Sequence, residues 1–430
     1  MNPIPKLVFR FLQALAATTL HIYYRKIIFI NRSNLTAKGP LMIVSNHANT
    51  GLDPLFALMY SREPCYLLAN YSLFKNPISG AILSTLFCIP IQRTQDLEPG
   101  EIPQNDDAFK ACDEHLQAAR CIYVAPEGTS YAERHIRECR TGTARIVFSA
   151  ETKNNFALDL RILPVGITYY DGLKFGTDVV VEVGAPFSAD NYADAYAENP
   201  RQAVNDLTQD IENQFINLTV NCNSAEEDDF LKKLEILLNN DAPLDAEAHH
   251  WRSKKIIANI HAWEKTDNVD YQQFKDNVET YFTTLDSMKI KDASKKTINT
   301  PLSILGILFA FPAFIIGFLG NIIPAWLSNR MIAVAKVHES YDSTIRFCAG
   351  LVFFPMFWWL QSEVLFYGKD LNFFETLAYV IVVIGTGLLA WRVYTEGSKI
   401  LNLYQYKKAN RDSYLTKIRQ PIVDKLIQLV

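Results

Sequence analysis

The sequence predicts an α/β domain, then a helical segment, then C-terminal membrane helices. Three observations carry this expectation. Short β-branched runs alternate with helix-patterned runs over residues 27–220. Residues 221–299 turn polar while keeping a helical pattern. Beyond Pro301 lie three strongly apolar runs, each near the roughly 20 residues that a helix needs to cross hydrocarbon.

A chain of 430 residues has room for two or three domains. Its formal net charge of −4 supplies no field that would hold nucleic acid, so no nucleic-acid partner is expected. Seven cysteines are scattered without a C-x-x-C pair, which points to reduced thiols in a cytoplasmic setting.

At the N-terminus, Lys6 and Arg10 come before an apolar stretch, Phe11 to Leu20, that imitates a signal peptide. Arg10 interrupts the apolar run, and the apolar part is too short to span a bilayer. A helix lying in the membrane interface over residues 1–26 fits better, with Tyr23 and Tyr24 at headgroup depth and Arg25 and Lys26 near phosphates. The alternative is a first helix packed on the domain.

Within residues 27–220, strands are expected over 27–30, 41–44, 121–124, 162–168 and 179–183, and helices over 53–60 and 81–87. In the polar segment, Phe230, Leu231, Leu234, Leu237 and Leu238 share one helical face, and residues 272–288 form a second such helix. His249 and His250 read as surface histidines. No third ligand is spaced to complete a metal site with them, so no metal is expected.

The membrane region covers residues 300–395, with Trp326, Trp358, Trp359 and Trp391 in or at the ends of its apolar runs. Lys289, Lys291, Lys295 and Lys296 precede the first run, and Arg330, Lys336 and Arg346 follow it. Arg392, Lys399, Lys407, Lys408 and Arg411 follow the third run, whereas Lys369 alone separates the second and third. If positive charge marks the cytoplasm, three full spans do not fit. Pro312, Gly317, Gly320 and Pro324 are then expected to break the first run into a re-entrant hairpin over residues 302–327, leaving spans at 350–366 and 373–391. An amphipathic tail over residues 396–430, helical up to Pro421, would dock on the protein or lie on the membrane.

Four stretches of the α/β part carry chemistry. In Asn46-His47-x5-Asp53-Pro54, a histidine at a strand end faces the start of the next helix. A histidine can take a proton from an alcohol near neutral pH, and a carboxylate on its other ring nitrogen fixes the tautomer. Asp53 before Pro54 is equally the ordinary punctuation of a helix start. In Ile89-Pro90-Ile91-Gln92-Arg93, a strand-like run delivers an arginine that could grip a phosphate or simply pair with Asp96. In Ala125-Pro126-Glu127-Gly128-Thr129-Ser130, a turn at a strand end presents a carboxylate and backbone N–H groups. Arg134, Arg137, Arg140 and Arg145 follow it as a local basic cluster, with Glu133 and Glu138 interleaved. In Leu163-Pro164-Val165-Gly166, a strand has a kink or a close backbone approach at the glycine.

In this order and spacing the stretches NHANTGLD, IPIQR, APEGTS and ILPVG resemble the four blocks of the glycerolipid acyltransferase family. The resemblance covers about residues 20–190 and implies that family's mixed sheet flanked by helices. It further implies a membrane-bound O-acyltransferase of phospholipid biosynthesis. The acyl group would move from an acyl-CoA or acyl carrier protein thioester, a co-substrate and not a cofactor, to a phosphorylated glycerol. His47 would be the base and Asp53 its orienter, with Asn46, Arg93, Glu127, Gly128 and Thr129 binding substrate. The catalytic domain would sit on the cytoplasmic face of the membrane, among membrane lipids.

Two features depart from the family pattern. His47 and Asp53 are separated by five residues instead of the usual four, and Ser130 stands where many members have arginine. The longer spacing resembles the branch of fungal glycerol-3-phosphate/dihydroxyacetone-phosphate acyltransferases and bacterial relatives, which implies glycerol 3-phosphate or dihydroxyacetone phosphate as acceptor. The 1-acylglycerol-3-phosphate activity is the alternative. Arg134 or Arg137 is expected to replace the missing phosphate contact. A catalytically degenerate lipid-binding protein is the rival from another class.

Overall fold

A computed structural model of the chain describes residues 3–93, 96–98, 100–294, 300–369, 371–410 and 412–430. Lys295, Lys296 and Arg411 of the charge pattern lie outside the described residues. The chain divides into two units, one of Met1–Cys222 with Glu339–Thr344, the other of Asn223–His338 with Ile345–Val430. The N-terminal helix therefore belongs with the α/β domain, and the polar helical segment belongs with the apolar helices.

In the first unit, β-branched and aliphatic runs pair into one sheet. Its strands are β1 (Lys26–Ile30), β2 (Leu41–Ser45), β3 (Cys65–Asn70), β4 (Cys88–Ile91), β5 (Cys121–Val124), β6 (Arg161–Tyr169), β7 (Asp178–Val183) and β8 (Phe187–Ser188). The order is β1-β7-β6-β2-β5-β3-β4, with β8 on β6. β6, β2, β5, β3 and β4 run parallel, in registers such as Met42 opposite Ile162 and Ile122. β7 and β8 are antiparallel to β6. All five residues of β2 are buried, as expected of a strand covered on both faces. β3 escaped the sequence reading, because Cys-Tyr-Leu-Leu-Ala-Asn has neither a β-branched residue nor alternation.

Helices cover both faces. α1 (Pro3–Tyr23) and α2 (Asp53–Leu58) lie over one, where the rings of Tyr24, Phe56 and Tyr169 meet at centroid distances of 5.4 to 6.1 Å. After the short α3 (Pro77–Thr85), α4 (Asp106–Gln117) and α5 (Gly142–Lys153) pack on the other face. So, beyond the short α6 (Ala193–Glu198), does α7 (Pro200–Leu218). The end of α7 comes so near β6 that a Cβ on Gly166 would lie 2.5 Å from Leu218 Cβ, so the close approach expected there is real. Tyr23 and Tyr24 are core residues and not headgroup anchors, and Arg25 pairs with Asp178 at 2.6 Å. Tyrosine suits both a headgroup belt and a domain core, and here the sheet supplied the apolar partner. The opposite side of α1 exposes Leu7, Phe11 and Leu15.

The second unit holds α8 (Ala225–Asp241), α9 (Ala246–Thr266), α10 (Asn268–Ser287), α11 (Thr300–Ala335), the body of α12 (Asp342–Leu365), α13 (Phe373–Ala409) and α14 (Tyr414–Gln428). Phe230, Leu231, Leu234, Leu237 and Leu238 are all buried on one face of α8. His250 is buried too, which corrects its expected surface position; the packing of α9 on α8 encloses it. No group of three metal-ligating side chains occurs among the described residues.

Among the described residues, α11, α12 and α13 are each long and apolar enough to cross a membrane. The break expected in the first run does not occur, and no hairpin forms over residues 302–327: α11 is one helix of 36 residues with Pro312 and Pro324 inside it. Pro324 lacks the N–H that would bond Gly320 O four residues back. Gln361 Nε2 on α12 donates to that carbonyl at 3.0 Å, and Asn321 donates to Val383 O on α13 at 3.1 Å. The neighbouring helix α12 thus satisfies the carbonyl that Pro324 frees. α13 runs on past residue 391 to Ala409, so the expected tail is split between α13 and a docked α14 that continues through Pro421.

α14 is locked by a buried ion network. Arg419 Nε and Nη2 donate to both oxygens of Asp292 at 2.8 and 3.1 Å, and Nη1 donates to Asp241 at 3.0 Å. Removing one partner of such a network strands the others in low dielectric, which costs about 3–5 kcal/mol. Arg419→Ala is therefore expected to lower unfolding stability by that order. Chemical denaturation followed by tryptophan fluorescence measures it, and an unchanged midpoint would show that the network contributes nothing.

Candidate active site

Parallel strands end together, so the loops after β2, β5 and β4 share one edge of the sheet, where open α/β sheets place ligands. Asn46 and His47 follow β2, Pro126-Glu127-Gly128 follows β5, and Arg93 follows β4. The structure thus gathers three of the four predicted stretches at one sheet edge, with β6 beside them.

His47 and Asp53 meet. Nδ1 of His47 lies 3.0 Å from Oδ2 of Asp53. With Nδ1–H donating to the carboxylate, Nε2 carries the lone pair. Asp53 is fully buried. Its Oδ2 also accepts from the Asn49 N–H at 2.8 Å, and its Oδ1 accepts from Tyr169 Oη at 2.6 Å. Asp53 is the first residue of α2 rather than its cap. Leu52 holds the cap position with no polar side chain to cap it, and the Asp53 carboxylate turns back into the loop.

The Pro-Glu-Gly turn braces the histidine. Glu127 Oε1 accepts from the His47 N–H at 2.7 Å, and Oε2 accepts from the Arg137 N–H at 3.0 Å. Both oxygens of the expected substrate ligand are spent on backbone. Burial pushes its carboxyl up to about 7, against the pull of those two N–H bonds. Gly128 sits at φ +72°, a left-handed conformation that favours glycine. Thr129 is half-buried in the same turn. Asn46 also acts on backbone: its amide donates to Ile167 O at 3.0 Å and accepts from Ile167 N–H at 2.7 Å. Ser130 Oγ accepts from the Thr50 N–H at 2.8 Å and donates to His47 O at 3.1 Å. The residue that replaces the family's arginine is thus a strut of the histidine loop.

Beside His47 lies a cavity of about 1220 Å³. Leu12, Leu55, Leu58 and Phe109 are among its apolar walls, and Arg93, Arg140 and Arg145 are its cations. Arg93 forks onto Asp96 at 2.6 and 3.0 Å and donates to Gly128 O. Arg140 and Arg145 are exposed and make no ion pair among the described residues. Arg134 and Arg137, expected to replace the missing arginine, are turned elsewhere, over the rings of Tyr170 at 5.8 Å and Tyr131 at 4.6 Å. Sequence reasoning missed Tyr169, Asn49 and Ser130. Asn49 and Ser130 lay within quoted motifs, but nothing marked their polar atoms as inward-facing. Tyr169 ends a strand whose alternation gave no reason to single it out.

The raised Glu127 carboxyl has a consequence for stability. A group whose folded pKa of about 7 exceeds the ordinary 4.5 favours the folded state below 4.5 and loses that advantage as pH rises through 7. At about 1.4 kcal/mol per pH unit this amounts to about 3 kcal/mol. Glu127→Gln removes the titration. The stability difference, wild type minus variant, is therefore expected to fall by about that amount between pH 4.5 and pH 7. Denaturant titrations at four pH values measure it, and a constant difference would place the carboxyl in its ordinary range.

Residues 26–168 match the family model described as Acyltransferase. Two Saccharomyces cerevisiae proteins, Glycerol-3-phosphate O-acyltransferase 2 and Glycerol-3-phosphate O-acyltransferase 1, are 27% identical over 118 residues and 30% identical over 116 residues. Those stretches cover 27% and 26% of this chain but only 16% and 15% of the two relatives. The 1-acyl-sn-glycerophosphate (LPA) acyltransferase PlsC of Thermotoga maritima aligns with a TM-score of 0.35 and 16% identity over 48% of this chain and 78% of that one, a likeness too slight to bear on the site. The matched stretch, residues 26–168, holds His47, Asp53, Arg93 and Glu127.

Proposed function

We propose that the chain is a membrane-bound O-acyltransferase of phospholipid biosynthesis, moving a fatty acyl group from a thioester to a hydroxyl of glycerol 3-phosphate or dihydroxyacetone phosphate. The observation that carries this reading is the His47–Asp53 pair on the wall of a largely apolar cavity that also holds three arginines. The printed names of the yeast relatives favour the glycerol 3-phosphate acceptor.

Nε2 of His47 takes the acceptor's hydroxyl proton while its oxygen attacks the thioester carbonyl carbon. Asp53 holds the tautomer and balances the imidazolium charge. The C–S bond then breaks, and the imidazolium returns its proton to the leaving thiolate. The donor is acyl-CoA or an acyl carrier protein thioester, with the acyl chain along the apolar cavity walls, and no cofactor takes part. Arg93, Arg140 and Arg145 hold the acceptor phosphate and the donor's phosphates. The three apolar helices support membrane association. The exposed Leu7, Phe11 and Leu15 of α1 suit the interface, and on this reading the domain lies at the cytoplasmic face of the membrane.

Purified protein given labelled oleoyl-CoA and each acceptor separately tests the reading. Esterification of glycerol 3-phosphate or dihydroxyacetone phosphate is expected. Transfer only to 1-acylglycerol 3-phosphate would reassign the acceptor, and release of free fatty acid alone would make the chain a hydrolase. His47→Ala is expected to cut kcat by about 10²–10⁴-fold without loss of folding. Arg140→Ala removes a charged contact made to the phosphate, so acceptor KM is expected to rise about 10-fold or more with kcat little changed. Unchanged lipid output with His47→Ala, in a strain that depends on the protein, would instead favour a lipid-binding role.

A further inference from the structure

The loop from His47 to Asp53 is one residue longer than the family pattern, and its stretched backbone has to be satisfied somewhere. Inside the loop, the Leu52 and Asp53 N–H groups donate to Asn49 O at 2.8 and 3.3 Å. The Asn49 N–H goes to Asp53 itself and the Thr50 N–H to Ser130. The Gly51 N–H donates to Thr344 Oγ1 at 3.0 Å, from 293 residues away in sequence.

The segment Glu339–Thr344 belongs to the first unit. Ser340 and Ser343 are buried in it, and Ser343 Oγ donates to Gly172 O. That carbonyl also accepts from Asn49 Nδ2 at 3.1 Å. Ser340 O accepts from Thr50 Oγ1 at 3.4 Å, and Thr344 Oγ1 lies 3.4 Å from Asn49 Oδ1. The fit at Gly51 is tight: a Cβ there would lie 2.6 Å from Thr344 Cγ2.

We propose that Thr344 is a positioning residue of the His47–Asp53 site, its hydroxyl closing the lengthened loop by accepting the Gly51 N–H. Asn49, whose N–H bonds Asp53, is held by the same contact, so the Thr344 hydroxyl acts on the carboxylate through two residues of backbone. This rests on the acyltransferase reading for its kinetic arm, while the docking itself can be read without it.

The test uses the full chain in detergent, with acyl transfer kinetics and hydrogen exchange of the peptide covering residues 46–53. Thr344→Val keeps the shape and removes the acceptor. It is expected to lower kcat about 5–10-fold, leave the acceptor KM within about twofold, and speed exchange in that peptide several-fold. Thr344→Ser keeps the hydroxyl and is expected to behave as wild type. Gly51→Ala is expected to impair turnover, and the double variant Gly51→Ala with Thr344→Ser, which removes Cγ2, to recover most of it. Wild-type rate and exchange in Thr344→Val would overturn the proposal. So would equal impairment in Thr344→Ser, or a double variant no better than Gly51→Ala. Should the wild type acylate no acceptor, the functional reading fails, and exchange in Thr344→Val decides the docking alone.

Discussion

The buried carboxylate of Asp53 is the constraint on which the rest of the site depends. A carboxylate without water must be met by donors or give up its charge. Three donors meet it, from three places: the end of β2 through His47, the loop through Asn49, and the end of β6 through Tyr169. Each donor fixes its own element to the others. The histidine tautomer follows from this arrangement, because Nδ1 is committed to Asp53 and Nε2 is left as the basic nitrogen.

The residues around His47 share one task. A strand that runs out of its ladder leaves backbone groups unpaired, and buried ones must find partners. Glu127 takes the His47 N–H, Ser130 and the Tyr131 N–H take its carbonyl, and Asn46 bonds both backbone groups of Ile167. A motif read as a set of substrate ligands is in large part a scaffold for one imidazole. Such bracing suits a general base, whose nitrogen has to stay within a fraction of an ångström of the proton it removes.

Much of the fold was legible. β2, β5, β6 and β7 fall within a residue of their expected bounds, because β-branched runs between turn residues have few other readings. The His47–Asp53 contact was legible as well, since a strand end and the next helix start are close by construction. What stayed hidden was set by partners far along the chain. Tyr169 reaches Asp53 across 116 positions and Thr344 reaches Gly51 across 293, and no local pattern encodes either. Pro324 misled for the same reason, since the local rule that it breaks a helix was overridden by Gln361 from another helix. Tyr23 and Tyr24 misled because an amphipathic ring suits a headgroup layer and a domain core equally.

The three arginines of the cavity are not equivalent, and their difference bears on how an anion would be held. Arg93 has its fork on Asp96 and one further N–H on Gly128 O. Its charge is largely offset, but its plane is fixed, which limits the entropy lost when it binds. Arg140 and Arg145 carry uncompensated charge on either side of the Thr141-Gly142 turn at the start of α5. In the proposed reaction they would supply the attraction for a phosphate, whereas Arg93 would supply a preset direction. On that proposal no arginine is needed at position 130. There the side chain is needed to hold the loop, and a serine, with one donor and two acceptor lone pairs, bonds both Thr50 and His47 where an arginine could only donate.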